Sequence, residues 1–235
     1  MNNMQITTIS FLKFTSLPNK YWGLKMMQSA NKYLADTEGL SFYRLWGSGK
    51  GKGFNPLPDW SVYGLLQVWD SEKDAQSFFD SSELINQYKI HTSELFTLYM
   101  KNISVNGTWL KKNPFEKAVE LDPELPIAVI TRATIKFNNL IRFWKFVPKS
   151  HRSLHGNKGL IYTKGFGEIP IVQMATFSLW KNYESLKEFA YQSKHHQEAI
   201  RKTRKNKWFK EELFARFQPY KSTGVWEGKD LLAFY

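Results

Sequence analysis

The chain has 235 residues, of which 42% are hydrophobic and 16% aromatic, so it is long enough and apolar enough to bury a core. It contains no Cys, which excludes disulfides, thiolate metal sites and a cysteine nucleophile. The formal net charge of +12 fits nucleic acid, an anionic membrane surface or an acidic substrate as partner, and fits equally well a solvated basic surface without a specific partner.

Neither a membrane span nor a secretion signal is expected from the hydropathy pattern. No apolar run approaches the length of a membrane-spanning helix. Residues 1–14 lack the basic start and long apolar stretch of a signal peptide and are typical of an early strand. We therefore predict a cytoplasmic protein.

The predicted elements, taken in chain order, repeat at about half the chain length. The first half is interpreted as strand, helix, strand, strand, helix and strand, with landmarks at 6–14, 21–22, 39–42, 62–69, 79 and 95–109. The second half follows the same order, with landmarks at 127–137, 143–144, 159–162, 174–180, 189 and 213–226.

This β-α-β-β-α-β order is that of the ferredoxin-like unit, whose sheet has helices on one face only. The bare apolar face has to be buried. We therefore predict an α+β protein whose two ferredoxin-like halves, 1–112 and 124–235, pack sheet to sheet as in a dimeric α+β barrel. The second half is expected to carry the working site.

A Gly-rich insertion, residues 46–54, distinguishes the first half from the second. Its spacing matches neither the P-loop nor the dinucleotide-binding fingerprint, because no Gly-Lys-Ser/Thr opens a helix here. The segment is interpreted as a solvated loop, with a lid over a pocket as the alternative.

The run Lys164–Gly167 is similar to the start of an RNA-recognition signature. It continues with Glu168-Ile169-Pro170 instead of base-stacking aromatics, and a carboxylate repels phosphate. We therefore expect no nucleic-acid partner, although a basic binding module for nucleic acid or membrane stays open as an alternative.

Among the five histidines, none shows zinc-ligand spacing, and His196 is singled out by helical periodicity. On a helix it lines up with Ala199, Ile200 and Thr203, the less polar face. The first half has no His at the matching position, so one site per chain is expected. A buried histidine bonded to a backbone carbonyl is the alternative.

Basic and aromatic residues follow this histidine, notably Arg201, Arg204 and Trp208. They are typical of a solvated helix end with an aromatic anchor. They also suit an anionic ring cofactor such as haem, because arginines bind carboxylates and aromatic side chains stack on the ring.

Several segments resemble the spheroidene monooxygenase family. They are 44–54, 131–135, 167–170, 176–180, 196–217 and 224–228. The segment 196–217 is the most specific of them, and the resemblance runs over nearly the whole chain.

The resemblance implies a monooxygenase that depends on haem b and acts on a carotenoid or another long apolar polyene. It implies His196 as the iron ligand and Arg201 and Arg204 as partners of the haem propionates. Trp208 and Arg44 are further cofactor-binding candidates, and Arg132, Gln173 and Thr176 are catalytic candidates, with Gln173 or Thr176 placed to hydrogen-bond oxygen. A core role is expected for Met174.

The same resemblance implies partners. O₂ and an external electron donor are needed, because no flavin or iron–sulfur motif is present in the sequence. A polyene dissolves in membrane, so we expect transient contact with an anionic membrane surface, at the inner membrane. Homo-oligomerisation stays open, as does a haem protein with dehydratase or peroxidase chemistry.

Overall fold

The computed structural model of the protein describes residues 4–51, 53, 55–151, 157–192 and 207–233. Within these ranges the strands are β1 (Ile6–Lys13), β2 (Leu40–Gly49), β3 (Pro58–Trp69), β4 (Glu94–Gly107), β5 (Ile127–Ile135), β6 (Leu160–Ile169), β7 (Gln173–Trp180) and β8 (Phe209–Gly224). The helices are α1 (Leu17–Ser29), α2 (Asn31–Leu34), α3 (Glu72–Ser81), α4 (Glu83–His91), α5 (Leu140–His151) and α6 (Tyr183–Gln192), and a 3₁₀ turn, Phe137–Asn139, leads into α5.

The eight described strands form one closed antiparallel barrel in the order β1-β3-β2-β6-β7-β5-β8-β4. Each half of the chain contributes four neighbouring strands. One seam between the halves, β4–β8, has eleven paired positions, whereas the other, β2–β6, has two: Gly47 with Gly167 and Ser48 with Phe166. The α+β class predicted from the sequence is confirmed.

The barrel has one core that both halves share. Because side chains alternate along a strand, each strand has one row inside the barrel and one outside. The inner rows of β1 and β5 supply Ile9, Phe11, Ala128 and Ile130, all fully buried. Closure of the barrel therefore buries apolar side chains of both halves together.

A Gly-x-Trp turn follows the last strand of each half and returns a tryptophan into one end of the barrel. Trp109 exchanges backbone hydrogen bonds with Lys112, and Trp226 does so with Lys229. Both indoles are buried. Each barrel end is thus closed by one tryptophan.

Two predicted segments differ from the structure. The insertion at 46–54 begins as strand, because Trp46 belongs to β2 and its buried ring stacks on Trp109 in the barrel. The helix predicted around His196 falls on residues 193–206, which lie outside the described ranges, and Phe209 already starts β8.

In the part of the chain that the structure describes, no helix combines the length and the apolar character needed to cross a bilayer.

We expect Gly107→Ala to destabilise the fold by more than about 1 kcal/mol. Gly107 has φ +93°, and an added Cβ would collide with the backbone oxygen of Glu212 in the neighbouring strand. Gly47→Ala is the control, since no atom lies within 4 Å of a Cβ at that strand position. Urea denaturation of both variants measures the difference, and equal free energies of unfolding would contradict this account of the turn.

Candidate functional site

The structure separates the predicted site residues into two places and leaves three of them undescribed. His196, Arg201 and Arg204 lie outside the described residues. Arg44 and Arg132 both lie next to Glu168 inside the barrel, whereas Thr176 lies on the outer face and Trp208 in an apolar cluster beside α5.

The strands of the second half have small side chains on the outer face of the barrel at positions where the strands of the first half have large ones. Strand register gives the equivalences, since Ile6 pairs with Trp69 as Ile127 pairs with Trp180. The large residues of the first half are Leu12, Tyr43, Leu45 and Leu65, and their counterparts are Ala133, Thr163, Gly165 and Thr176.

Together with Thr131 and Ser178, these four small residues form a continuous surface, which we call the small-residue platform. Gly165 pairs with Thr176 across β6–β7, and Thr176 pairs with Thr131 across β7–β5. The platform is therefore three strands wide and carries hydroxyl groups but no bulky side chain.

Apolar packing on this face is interrupted at the platform. The outer face of the first half carries one continuous apolar cluster under α1 to α4. On the second half, the described residues form two clusters: Ile127, Val129, Trp180 and Leu186 beside α6, and Ile135, Phe143, Met174 and Trp208 beside α5. The platform lies between these two apolar clusters.

Trp208 and Met174 thus have defined positions. Trp208 is buried and its ring lies 6.2 Å from that of Phe143. Met174 is also buried in this cluster, as a core residue would be. Both side chains stand at the border of the platform.

The second place is a buried ionic group at one end of the barrel interior, which we call the lumen cluster: Arg44, Arg132, Glu168 and Glu211, with Trp46 and Trp109. The Arg132 side chain is fully buried, where the equivalent position of the first half has Phe11. Its guanidinium pairs with Glu211, lies 3.9 Å from Glu168, and faces the ring of Trp109 at 5.6 Å.

Glu168 joins the two arginines across the weak seam of the barrel. Its carboxylate lies 3.7 Å from Nε of Arg44, which is on β2, whereas Arg132 is on β5. Burial raises the pKa of Glu168, and the two arginines partly offset that rise. Burial likewise lowers the pKa of the Arg44 guanidinium.

The indole N–H groups of Trp46 and Trp109 lie near enough to Glu168 to lower its pKa, although neither has the geometry of a direct hydrogen bond. Within the described part of the chain, Nε and Nη2 of Arg132 also have no hydrogen-bond partner. The cluster therefore directs several N–H donors at one carboxylate, and its main effect is to hold β2, β5 and β6 together.

Glu211 connects this cluster to the turn that carries Trp109. Its carboxylate accepts hydrogen bonds from the backbone N–H of Lys111 (2.6 Å) and Leu110 (3.1 Å) and from the hydroxyl of Thr108 (2.9 Å). Burial alone would raise the pKa of Glu211, but these bonds and Arg132 lower it to about 2. Leu110 and Lys111 have positive φ, and the carboxylate stabilises that unusual turn.

The predicted catalytic residues do not share one face of the sheet. Arg132 and Gln173 belong to inner rows, since they alternate with the rows of Ala133 and Met174, whereas Thr176 belongs to the platform. Their catalytic roles stay predictions, and one pocket cannot contain all three.

Sequence reasoning missed Glu168, Glu211, Trp46 and Trp109 as one group. Glu211 lies on β8, close to Arg132 only through the pairing of β5 with β8. Comparison of the two halves could have indicated the group. Arg132 stands where the first half has Phe11, and a buried cation requires a carboxylate nearby.

The described residues contain no group of His, Asp and Glu side chains that could bind a metal ion.

We expect Glu168→Leu to lower the free energy of unfolding by up to about 3–5 kcal/mol, because it removes a carboxylate from the buried Arg132. Arg132→Leu should be tolerated better, since the equivalent position of the first half is apolar. The double variant should recover part of the loss, so urea denaturation of all four proteins should give a non-additive cycle. Additive effects would mean that the two side chains do not interact.

Glu211 should make the fold sensitive to acid. Because its pKa is about 2 in the folded protein and ordinarily 4.5, its contribution to stability is complete above pH 4.5 and is lost as pH falls towards 2. Glu211→Gln should flatten the dependence of unfolding free energy on pH in that window. Glu212→Gln, the same change at an exposed carboxylate, is the control, and equal slopes for both variants would contradict this assignment.

Comparisons with known proteins match most of the chain. It is 34% identical over 232 residues to the spheroidene monooxygenase of Rhodobacter capsulatus, covering 98% of this chain and 96% of that one. It is 38% identical over 232 residues to the spheroidene monooxygenase of Cereibacter sphaeroides, covering 97% and 70%. Residues 146–217 match the family described as domain of unknown function DUF3291.

Among solved structures, a crystal structure of aldoxime dehydratase is similar in fold, with a TM-score of 0.66 and 9% identity, covering 98% of this chain and 88% of that one. At that identity the likeness concerns the fold alone. The two relatives above are similar along nearly the whole of this sequence. The chain therefore belongs to the spheroidene monooxygenase family.

Proposed function

We propose that this protein is a haem-dependent monooxygenase that oxidises a carotenoid or a similar long apolar polyene. Membership of the spheroidene monooxygenase family supports the reaction and the substrate class. The observation that supports haem binding is the small-residue platform. Its side chains are small, whereas the equivalent side chains on the outer face of the first half are large.

The residues of the platform fit a flat ring. Gly165, Ala133 and Thr176 are smaller than Leu45, Leu12 and Leu65, which occupy the equivalent positions of the first half. The two apolar clusters at its borders would bury the edges of such a ring and exclude water. Thr131 and Thr176 are the hydroxyl donors on the surface between them.

The ligands of the group are proposed from the family resemblance. His196 would bind the iron, and Arg201 and Arg204 would pair with the propionates, with Trp208 packing at one border. Haem would supply the iron at which O₂ is activated, and an external donor would supply the electrons. In the overall reaction one oxygen atom enters the polyene and the other leaves as water.

For the remaining candidates, we propose different roles. Thr176 lies on the platform and is the side chain suited to hydrogen-bond oxygen there. Arg44, Arg132 and Gln173 lie towards the barrel interior, so we propose that Arg44 and Arg132 position β5 and β6 through Glu168 rather than touch the cofactor.

We also propose that the two halves are tandem ferredoxin-like repeats, of which the second became the cofactor-binding copy. The same strand order in both halves and the equivalent Gly-x-Trp turns support this interpretation. A redox partner and contact with the inner-membrane surface are proposed with it.

The proposal is tested by expressing the protein with added haem and measuring the visible absorption spectrum of the purified protein. Wild type should show a stoichiometric Soret band, which His196→Ala should shift or abolish. His195→Ala is the control, because adjacent residues would project in different directions on the helix that the sequence predicts. A folded protein without a Soret band would refute the haem part, and an unchanged band in His196→Ala would move the ligand elsewhere.

Thr176→Leu should prevent haem binding and leave the fold intact, because the first half holds Leu65 at the equivalent position. Thr176→Val removes the hydroxyl with little added volume and should bind haem but oxidise more slowly. Haem stoichiometry, melting temperature and product analysis with a detergent-solubilised polyene measure the three effects. Full haem binding by Thr176→Leu would show that the platform is not the site.

A further inference from the structure

Four apolar side chains are exposed together beside the second-half site. Phe137 is 86% exposed, Ile141 73%, Ile169 51% and Ile171 44%. We call them the apolar patch. Single exposed apolar residues are ordinary, but a cluster of large ones on two neighbouring segments indicates a binding surface.

Two hydrogen bonds bring the two segments side by side. Phe137 opens the 3₁₀ turn that leads into α5, and Ile141 lies four residues later in the first turn of α5. Ile169 is the last residue of β6, and Ile171 lies in the turn that leads from it into β7. The indole N–H of Trp144 donates to the carbonyl of Ile171 at 3.1 Å, and Ile135 donates to the carbonyl of Val172 at 2.9 Å.

The β6–β7 turn holds one of these side chains outward at the expense of backbone strain. Ile171 has φ +61°, a conformation that a β-branched residue rarely adopts and that Gly or Asn normally occupies. Val172 donates to the carbonyl of Ile169 across this turn. A strained backbone that exposes an isoleucine is better explained by a surface function than by folding.

The charged side chains that the described part of α5 exposes beside the patch are cations. From residue 125 to 167 the sequence has no Asp or Glu and eight Lys or Arg, of which Arg132 and Lys164 are buried in ion pairs, and Glu168, which precedes Ile169, belongs to the lumen cluster. Arg142 and Lys145, on the same helix as Ile141, are exposed. Apolar side chains flanked by cations match the interface of an anionic bilayer, where the cations meet headgroups and the apolar side chains enter the acyl boundary.

We infer that the apolar patch is the surface by which this protein docks on an anionic lipid bilayer, with the start of α5 and the β6–β7 turn inserted. The inference rests on the proposed function in one respect, since a polyene substrate is reached from the bilayer. The patch borders the cluster of Ile135, Phe143, Met174 and Trp208 at the edge of the platform, so docking would bring lipid next to the proposed site.

The test is cosedimentation of the full chain with vesicles of phosphatidylcholine alone or mixed with phosphatidylglycerol. Wild type should bind the anionic vesicles. The double variant Phe137→Ser/Ile141→Ser should bind them at least about tenfold more weakly. The control is Leu17→Ser/Tyr21→Ser, which changes two exposed apolar residues of α1, the corresponding helix of the first half, and should bind as wild type does.

Two further variants separate docking from folding and from charge. Ile171→Gly should raise the melting temperature, because it relieves the turn, and yet weaken vesicle binding. Arg142→Gln/Lys145→Gln should reduce the preference for anionic over neutral vesicles. An Ile171→Gly variant that binds as wild type does would contradict the role of the turn.

The inference is overturned if wild type binds neither vesicle, if the α1 variant loses as much binding as the α5 variant, or if the patch proves to be a dimer contact. Sedimentation velocity of wild type and the α5 variant detects the last case. Oxidation of a detergent-solubilised polyene is measured in parallel. If the patch variants bind vesicles as tightly as wild type does, the inference fails and the proposed function is unaffected. If wild type binds vesicles but oxidises no polyene, the proposed function fails and the inference is unaffected.

Discussion

Closure of eight strands into one barrel is the constraint on which the rest of the structure depends. Each strand then has an inner row that must fill the barrel and an outer row that helices can cover. The inner rows of both halves share one core, so a change of volume in either half affects both. The outer rows are independent of each other, and it is there that the halves differ most.

The outer row of the first half packs against the helices that cover it. Large apolar side chains under α1 to α4 form one continuous cluster. The second half has small residues at the centre of the same face and apolar clusters only at its borders. Since a protein gains stability from filled cores, the small residues at these equivalent positions give up packing that the first half has, and the proposed cofactor would occupy this face.

The barrel interior shows a second divergence. Phe11 is surrounded by aromatic rings at one end, including Phe166, Phe177 and Trp226. The equivalent Arg132 at the other end needs Glu168 and Glu211 as counter-charges, because a buried guanidinium without partners would be strongly destabilising. This ionic group spans the β2–β6 seam, where only two pairs of residues are matched between the strands. Side chains therefore reinforce the shorter of the two contacts between the halves. It also keeps β5 and β6, which carry the platform, in fixed positions relative to each other.

The α+β class and the repeated order of elements followed from the sequence, because strand and helix periodicities are local and both halves carry the same landmarks. The family resemblance was likewise in the sequence, on the segments around Arg132, Glu168 and 196–217. The sequence could not place Arg44 beside Glu168, nor set Arg132 and Thr176 on opposite faces of one sheet. Both depend on the register of strands far apart in the chain, and register is decided by the closure of the barrel rather than by any local pattern.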